Sequence, residues 1–346
     1  TNHGEVLRQI GTAIRNADTL EALKQVARDI RQLAGSMMTQ GVAAEPLTQT
    51  ISTLNDLLTV RVIERECVAA SPPCADFCWI ALGSEGRYEQ TLNTDQDNGI
   101  IFLAPAGSSA GQARRTLLPI ARRINEALDA CGFPLCPGNI MASNPELCLS
   151  LDEWKEKFSG WIDHGDPQAL LNATIFFDFR PLFGQFELAE KLRSWLAKQA
   201  ESNPLFLHQM AANALRNRPP LGLVRDFAVG ENHALDLKLN GISPFVDAAR
   251  IFSLATGGLQ AGTLQRLRQA AEPLHVPAKE TEAWEEAFLF IQLLRLRLHH
   301  KQREAAQPMG NRLDPDHLND LDRRALKEAF RQARNLQARL ALNYNL

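Results

Sequence analysis

The chain has 346 residues, of which 45% are hydrophobic and 22% charged, with a formal net charge of -3. This length predicts about two domains, at roughly 150 residues each. The charge balance argues against a nucleic-acid-binding surface, which normally carries a concentrated basic excess. No apolar run approaches the ~20 residues of a membrane helix, and the first residues resemble an amphipathic helix rather than a signal peptide. We therefore expect a cytoplasmic protein without membrane contact.

The N-terminal segment, residues 1–70, is expected to be helical. Apolar residues recur at three- and four-residue steps over 5–34 and 46–70. The stretch between them, GSMMTQGVAAEP, is predicted to be a linker.

Residues 71–150 have the pattern of a small α/β unit. Two prolines end the second helix, and the apolar runs Phe77–Leu82 and NGIIFL predict two buried strands. Helical periodicity returns over 110–130, with a kink expected at Pro119. The stretch CGFPLCPGNIMASN is predicted to supply one or two further short strands or extended pieces.

Helix dominates residues 151–346. The exception is HALDLKL, whose alternation predicts a strand or hairpin arm. Helices are expected near 152–162, 167–177, 185–200, 204–215, 244–256, 263–271, 279–303 and 315–343.

The six cysteines never form a CxxC pair, and no His-x-x-x-His partner stands near them. We therefore expect reduced, mostly buried thiols rather than a structural zinc site.

The stretch ALGSEGRYEQTLNTDQDNGIIF places unusual charge between two apolar runs. If Asp95 and Asp97 enter the second strand, their two-residue spacing puts both carboxylates on one face. Paired oxygen ligands suit Mg²⁺. Gly83 and Ser84 leave the first strand where small residues let backbone N–H groups and a hydroxyl approach phosphate oxygens, and Arg87 adds a cation for the same anion. Together these features predict nucleotidyl transfer.

This motif resembles the DNA polymerase β nucleotidyltransferase superfamily, whose signature is a strand, Gly-Ser, a short helix and Asp-x-Asp on the next strand. LGSEGRYEQTLNTDQDN is more closely similar to the bacterial nucleotidyltransferase family related to the N-terminal domain of PII protein uridylyltransferase. The stretches GNIMASNPELCLSLDEW, FFDFRPLFG, RPPLGLVRDF and LDLKLNGISPFVDAARIFSL resemble the same family and its helical substrate-binding domain. The resemblance spans roughly residues 50–340 and implies an α+β, mostly helical protein: a small mixed sheet with flanking helices, followed by a C-terminal helical bundle.

The resemblance also implies roles for individual residues. Gly83 and Ser84 would hold a nucleoside triphosphate, Asp95 and Asp97 would bind Mg²⁺ (or Mn²⁺), and Arg87 would support the phosphates or the shape of the site.

Two neighbours of Arg87, Glu89 and Gln90, would orient the loop through hydrogen bonds. An acceptor hydroxyl would attack the α-phosphorus, and pyrophosphate would leave.

Polymerase β-type enzymes usually carry a third carboxylate on a later strand, but FPLCPGNIMASN contains no acid. Asp178 is a candidate replacement, and Glu146 is another. The alternative for Asp178 is an ion pair with neighbouring Arg180.

The helical half offers further polar candidates. We expect Arg218 and Lys238 to contact the nucleotide, and His299 or His300 is conceivable as a general base. Further candidates are Arg216, Arg225, Asp236, Asp247 and Arg250.

Two functions remain open. The first is a metal-dependent nucleotidyltransferase acting on a protein side chain, such as a PII-like tyrosine, or on a small molecule. The second is a non-catalytic nucleotide-sensing module of a larger protein with CBS or cyclic-nucleotide-binding domains, which a chain beginning at Thr1 would fit. A homodimer through the entry helices is also an expectation. The sequence does not choose the base or the acceptor.

Overall fold

The computed structural model describes residues 3–70, 76–222, 227 and 233–346. They form two compact units. Unit 1 comprises Thr1–Val42, Pro46–Gly160 and Ile175–Leu196, and unit 2 comprises Ala43–Glu45, Trp161–Thr174 and Ala197–Leu346. None of the described helices is both long enough and apolar enough to cross a membrane.

The helices and strands follow one another in a mostly helical chain. The helices are α1 (His3–Asn16), α2 (Leu20–Thr39), α3 (Ala44–Ala69), α4 (Gly83–Gly86), α5 (Ala110–Ala130), α6 (Leu151–His164), α7 (Pro167–Phe176), α8 (Phe186–Glu201), α9 (Pro204–Ala214), α10 (Ser243–Ala255), α11 (Thr263–Ala271), α12 (Ala278–Glu304) and α13 (Asp320–Asn343). The strands are β1 (Phe77–Leu82), β2 (Asn98–Phe102), β3 (Cys148–Ser150), β4 (Phe179–Gly184), β5 (Leu235–Asp236) and β6 (Arg312–Leu313).

The predicted N-terminal helix over 5–34 is in fact two helices. Thr19 has extended backbone geometry, and its hydroxyl accepts a hydrogen bond from the Ala22 N–H at 3.1 Å. A threonine in this role starts a new helix, because its side chain satisfies an otherwise unpaired N–H group. The prediction of one continuous helix is therefore wrong at Ala17–Thr19, whereas the second predicted helix is present as α3.

A four-stranded mixed sheet forms the centre of unit 1, in the order β3-β2-β1-β4. Strand β1 is antiparallel to both β2 and β4, and β3 is parallel to β2. Every residue of β1 and β2 is buried. The Trp154 indole of α6 donates a hydrogen bond to the Ile100 carbonyl at 2.8 Å, which ties the start of α6 to the sheet. The expected α+β class with a small mixed sheet is confirmed.

The observed strands differ from the expected ones in two places. Residues 133–144 form a loop without a strand, and the third strand follows later as β3. Strand β4 was not predicted, because Pro181 argues against a central strand. Pro181 is tolerated because β4 is an edge strand and its register with β1 shifts between Trp79 and Ile80.

The described residues of unit 2 are mostly helical and include the short β5–β6 pair, in which Leu235 lies opposite Leu313. The predicted strand over 233–239 is therefore mostly wrong. After Asp236 the chain enters a π-helix, Leu237–Ile242, and the Asp236 carboxylate accepts hydrogen bonds from the Lys238 and Leu239 N–H groups.

Candidate active site

The Gly-Ser turn lies directly at the end of β1, in the short helix α4. Gly83 has φ +58°, in the left-handed region that favours glycine. A Cβ at Gly83 would lie 3.1 Å from Asp97 Oδ2. The turn and the second aspartate of the Asp-x-Asp motif therefore approach each other closely, and a side chain at position 83 would crowd the carboxylate.

The two aspartates precede β2 rather than standing in it. Burial alternates along this extended segment: Asp95 is exposed and Asp97 half-buried, whereas Gln96 and Asn98 are buried. The Gln96 side chain donates to the Phe133 carbonyl at 3.0 Å on the buried side. The alternation agrees with the predicted placement of both carboxylates on one face.

Asp97 is placed by contacts with the end of β1 and with the turn that follows it. Its carbonyl accepts a hydrogen bond from the Leu82 N–H at 2.9 Å. The turn after β1 also approaches its side chain, with Asp97 Oδ2 3.1 Å from the position of a Cβ at Gly83. The position of Asp97 is therefore fixed by the end of β1 and by the turn that follows it.

Glu85 adds a carboxylate that the sequence analysis did not single out. Burial raises the pKa of Glu85 well above its ordinary range, and the nearby Asp97 and Asp56 carboxylates raise it further. Acids this close repel one another, so a divalent cation bound by Asp97 would be favoured here. The oxygen donors of Asp95 and Asp97, in this electronegative setting, fit such a cation.

The loop of residues 133–144, which contains no acid, places the Cys136 thiol near Asp97. The pKa of the Cys136 thiol is raised, first by burial and then by the charge of Asp97. Within the part of the chain that the structure describes, the one group of three acidic, histidine or cysteine side chains with ligand atoms within 4.8 Å of one another lies in unit 2, at His233, Asp314 and Asp316.

Arg87 is bound by two carboxylates. Its Nη1 lies 2.8 Å from Asp178 Oδ2, and its Nε lies 2.9 Å from Glu89 Oε1. Asp178 is completely buried. The alternative pairing of Asp178 with Arg180 is wrong, because Arg180 pairs with Asp56, Nη2 to Oδ1 at 2.8 Å.

Glu89 and Gln90 are both buried. The Glu89 N–H donates to the Ser84 carbonyl at 2.9 Å, which closes the loop on itself. Gln90 Oε1 accepts from Asn55 Nδ2 of α3 at 3.3 Å. These contacts are consistent with the predicted role of the pair in orienting the loop.

The candidates of the helical half lie in unit 2. Arg218 Nη1 is 3.5 Å from Gln337 Oε1, and Lys238 is exposed. Arg250 is almost completely buried and pairs with Asp247 at 2.9 Å. Arg225 lies outside the described residues.

His299, considered as a general base, is completely buried, and its Nε2 lies 3.2 Å from Asn311 Oδ1. Burial, followed by the charge of Arg295, lowers the pKa of His299 to about 4.

The chain places a glycine turn at the end of one strand and two aspartates just before the next, on a mixed sheet, which is the arrangement expected of a nucleotidyltransferase. Residues 28–168 match the model of the "Putative nucleotidyltransferase DUF294" family. Residues 204–344 match the "Putative nucleotidyltransferase substrate binding domain". The chain belongs to this nucleotidyltransferase family and carries its two parts in that order. A comparison with curated proteins found no match.

Proposed function

We propose that this protein is a metal-dependent nucleotidyltransferase, which moves a nucleoside monophosphate from a nucleoside triphosphate to an acceptor hydroxyl. The observation that carries the proposal is the close approach of Gly83 to Asp97 Oδ2, 3.1 Å from the position of a Cβ. A turn of small residues and a carboxylate that meet in this way would hold a phosphate and its metal ion next to each other.

In this proposal Gly83 and Ser84 bind the phosphate oxygens, and Asp95 and Asp97 hold Mg²⁺ or Mn²⁺. The metal ion, when bound, would neutralise phosphate charge. The acceptor oxygen forms a bond to the α-phosphorus as the bond to the bridging oxygen breaks, and pyrophosphate leaves. The chain contributes orientation of the phosphates along that line.

The other predicted site residues of unit 1 are assigned roles from the protein groups that they contact. Arg87, Glu89 and Gln90 are supported as residues that shape the loop, because each is engaged by the protein itself. Asp178 is proposed to act through Arg87, with which it pairs.

Arg218 and Lys238 remain proposals for nucleotide contact from unit 2. The acceptor is proposed to be a protein side chain, such as a PII-like tyrosine, or a small molecule.

The first experiment is calorimetric titration of ATP, GTP, CTP and UTP in the presence of Mg²⁺ or Mn²⁺. The wild type is compared with the Asp95→Asn, Asp97→Asn double variant. We expect the wild type to bind one triphosphate in a metal-dependent manner, and the double variant to lose at least a hundredfold in affinity.

A matched control is the Asp129→Asn, Asp152→Asn variant, which removes the same charge from exposed positions of α5 and α6. We expect this control to bind like the wild type. Absence of binding to all four triphosphates by the wild type would refute the proposal for this chain.

A second candidate function is a nucleotide-sensing module that binds but does not transfer. The observation that favours it is the Cys136 thiol beside Asp97, in the loop where the superfamily pattern leads one to look for a third acid. Metal-dependent binding without release of pyrophosphate, across candidate acceptors, would select this alternative.

A further inference from the structure

Arg180 is a buried residue of β4 that contacts the backbone of the turn Gly83–Gln90. Its Nε and Nη2 donate to the backbone carbonyl of Glu85 at 3.0 and 2.8 Å. The Tyr88 N–H donates to the same carbonyl at 3.3 Å. One guanidinium group therefore holds the backbone of the residue that directly follows the Gly-Ser pair, in the turn where Gly83 approaches Asp97.

Two other groups hold the Arg180 side chain in this orientation. Asp56 of α3 accepts from Nη2 at 2.8 Å. The Tyr88 ring covers the guanidinium, with Cζ 3.7 Å from the ring centroid. Tyr88 has φ +58°, a strained conformation for a non-glycine residue. The contact with Arg180 is a physical reason for Tyr88 to remain in that conformation.

We propose that Arg180 is a positioning residue, which holds the turn Gly83–Gln90 in the conformation that binds a triphosphate. This inference rests on the proposed nucleotidyltransferase function and deepens it. Arg180 acts on the turn through its hydrogen bonds to the Glu85 carbonyl. Because the turn is held before the ligand arrives, less conformational entropy is lost on binding.

The test compares Arg180→Met and Arg180→Lys with a matched control, Arg114→Met. Arg114 has the same three kinds of partner as Arg180. It donates to the Cys148 carbonyl at 2.8 Å and to Glu153 Oε2 at 2.6 Å, and its guanidinium lies 5.7 Å from the Phe102 ring centroid. Cys148 lies in β3, Glu153 in α6 and Phe102 in β2, so none of these partners is in β4 or in its neighbour β1.

Two quantities are measured for each variant, together with its melting temperature. The first is the Kd for each of the four ribonucleoside triphosphates with Mg²⁺. The second is amide hydrogen exchange of residues 83–90 in the nucleotide-free protein. We expect Arg180→Met to raise the Kd at least tenfold and to accelerate exchange in residues 83–90. Arg180→Lys, which keeps the charge and one set of donors, should recover part of the affinity. Arg114→Met should change neither quantity more than twofold.

The proposal is overturned if Arg180→Met matches Arg114→Met in both Kd and loop exchange. Should Arg180→Met fail to fold, Asp56→Asn replaces it, and the same two quantities must move in the same direction. Failure of the wild type to bind any triphosphate would refute the proposed function. The exchange measurement would still decide whether Arg180 holds the turn, so the two failures are distinguishable.

Discussion

At the scale of single residues, the ion pair between Arg87 and Asp178 is expected to contribute strongly to stability. The Asp178 side chain is fully buried and that of Arg87 nearly so. We predict that Asp178→Ala lowers the free energy of unfolding by about 3 kcal/mol, because Arg87 would keep its charge while losing a buried partner. Urea unfolding followed by circular dichroism measures the loss. Asp129→Asn, on the surface, should change the same quantity by less than about 0.5 kcal/mol.

Buried His299 predicts a dependence of stability on pH. Its pKa is lowered from 6.5 to about 4, chiefly by burial and then by Arg295. As the pH falls below 6.5, the unfolded chain takes up a proton that the folded chain does not accept until about pH 4. The free energy of unfolding should therefore fall over this window, by up to about 3 kcal/mol.

The measurement is the free energy of unfolding from urea titrations at several pH values between 4 and 7. His299→Gln should remove this part of the loss, whereas His300→Gln, at the neighbouring position, should retain it. Equal pH dependence in the wild type and His299→Gln would contradict the assignment to His299.

The residues that sequence analysis did and did not find differ in their separation along the chain. Gly83, Asp95 and Asp97 stand within one stretch, so their spacing and the strand period are enough to predict a common site. Arg180 and Asp56 are 124 positions apart, and no periodic pattern brings them together. Cys136 shows the same limit, because its proximity to Asp97 depends on how the loop of residues 133–144 folds over the sheet.

At the scale of elements, the fit of α4 against the sheet depends on Gly86. A Cβ at Gly86 would lie 2.3 Å from the Asp178 carbonyl oxygen and 2.9 Å from the Ala81 carbonyl oxygen. Both are backbone atoms, which cannot move away as a flexible side chain would. We predict that Gly86→Ala costs about 2–3 kcal/mol of stability and weakens triphosphate binding.

The matched control is Gly160→Ala, in the helix α6. Apart from its chain neighbours and the nearby backbone of α6 itself, no atom lies within 4 Å of a Cβ built at Gly160. Alanine has a higher helix propensity than glycine, so this variant should gain about 0.5–1 kcal/mol. Thermal unfolding of both variants measures the difference, and a Gly86→Ala protein as stable as the wild type would show that α4 can shift.

The elements themselves were predictable where a single strong pattern operates. The apolar run Phe77–Leu82 and the periodicity of residues 110–130 correspond to β1 and α5 residue for residue. Strand β4 escaped prediction because Pro181 removes a backbone donor, and only the edge position makes that harmless. The break between α1 and α2 depends on one capping side chain, Thr19. The apolar period continues across this break, so the period alone does not predict it.

At the scale of the whole molecule, the chain crosses between its two compact units several times. Residues 151–160 and 175–196 belong to the unit that contains the sheet, whereas 161–174 belong to the other. In that other unit Leu170 and Thr174 of α7 line a small cavity together with Met210 of α9. The sequence division into 1–70, 71–150 and 151–346 follows composition, and it stays a prediction for how the chain divides functionally.

Hydrogen exchange of the Asp178→Ala variant under mildly denaturing conditions would locate the cooperative units. Compact units tend to open as wholes, so a defect in one should accelerate exchange throughout that unit and little elsewhere. A loss of about 3 kcal/mol corresponds to roughly a hundredfold faster exchange. We expect this acceleration in β1, in residues 151–160 and in residues 175–196, but not in α9 or α12. The contrary outcome is wild-type exchange in residues 151–160 as well as in α9. The boundary of the cooperative unit that contains the sheet would then lie at residue 150, where composition places it. Trp154 would not couple α6 to the sheet in that case.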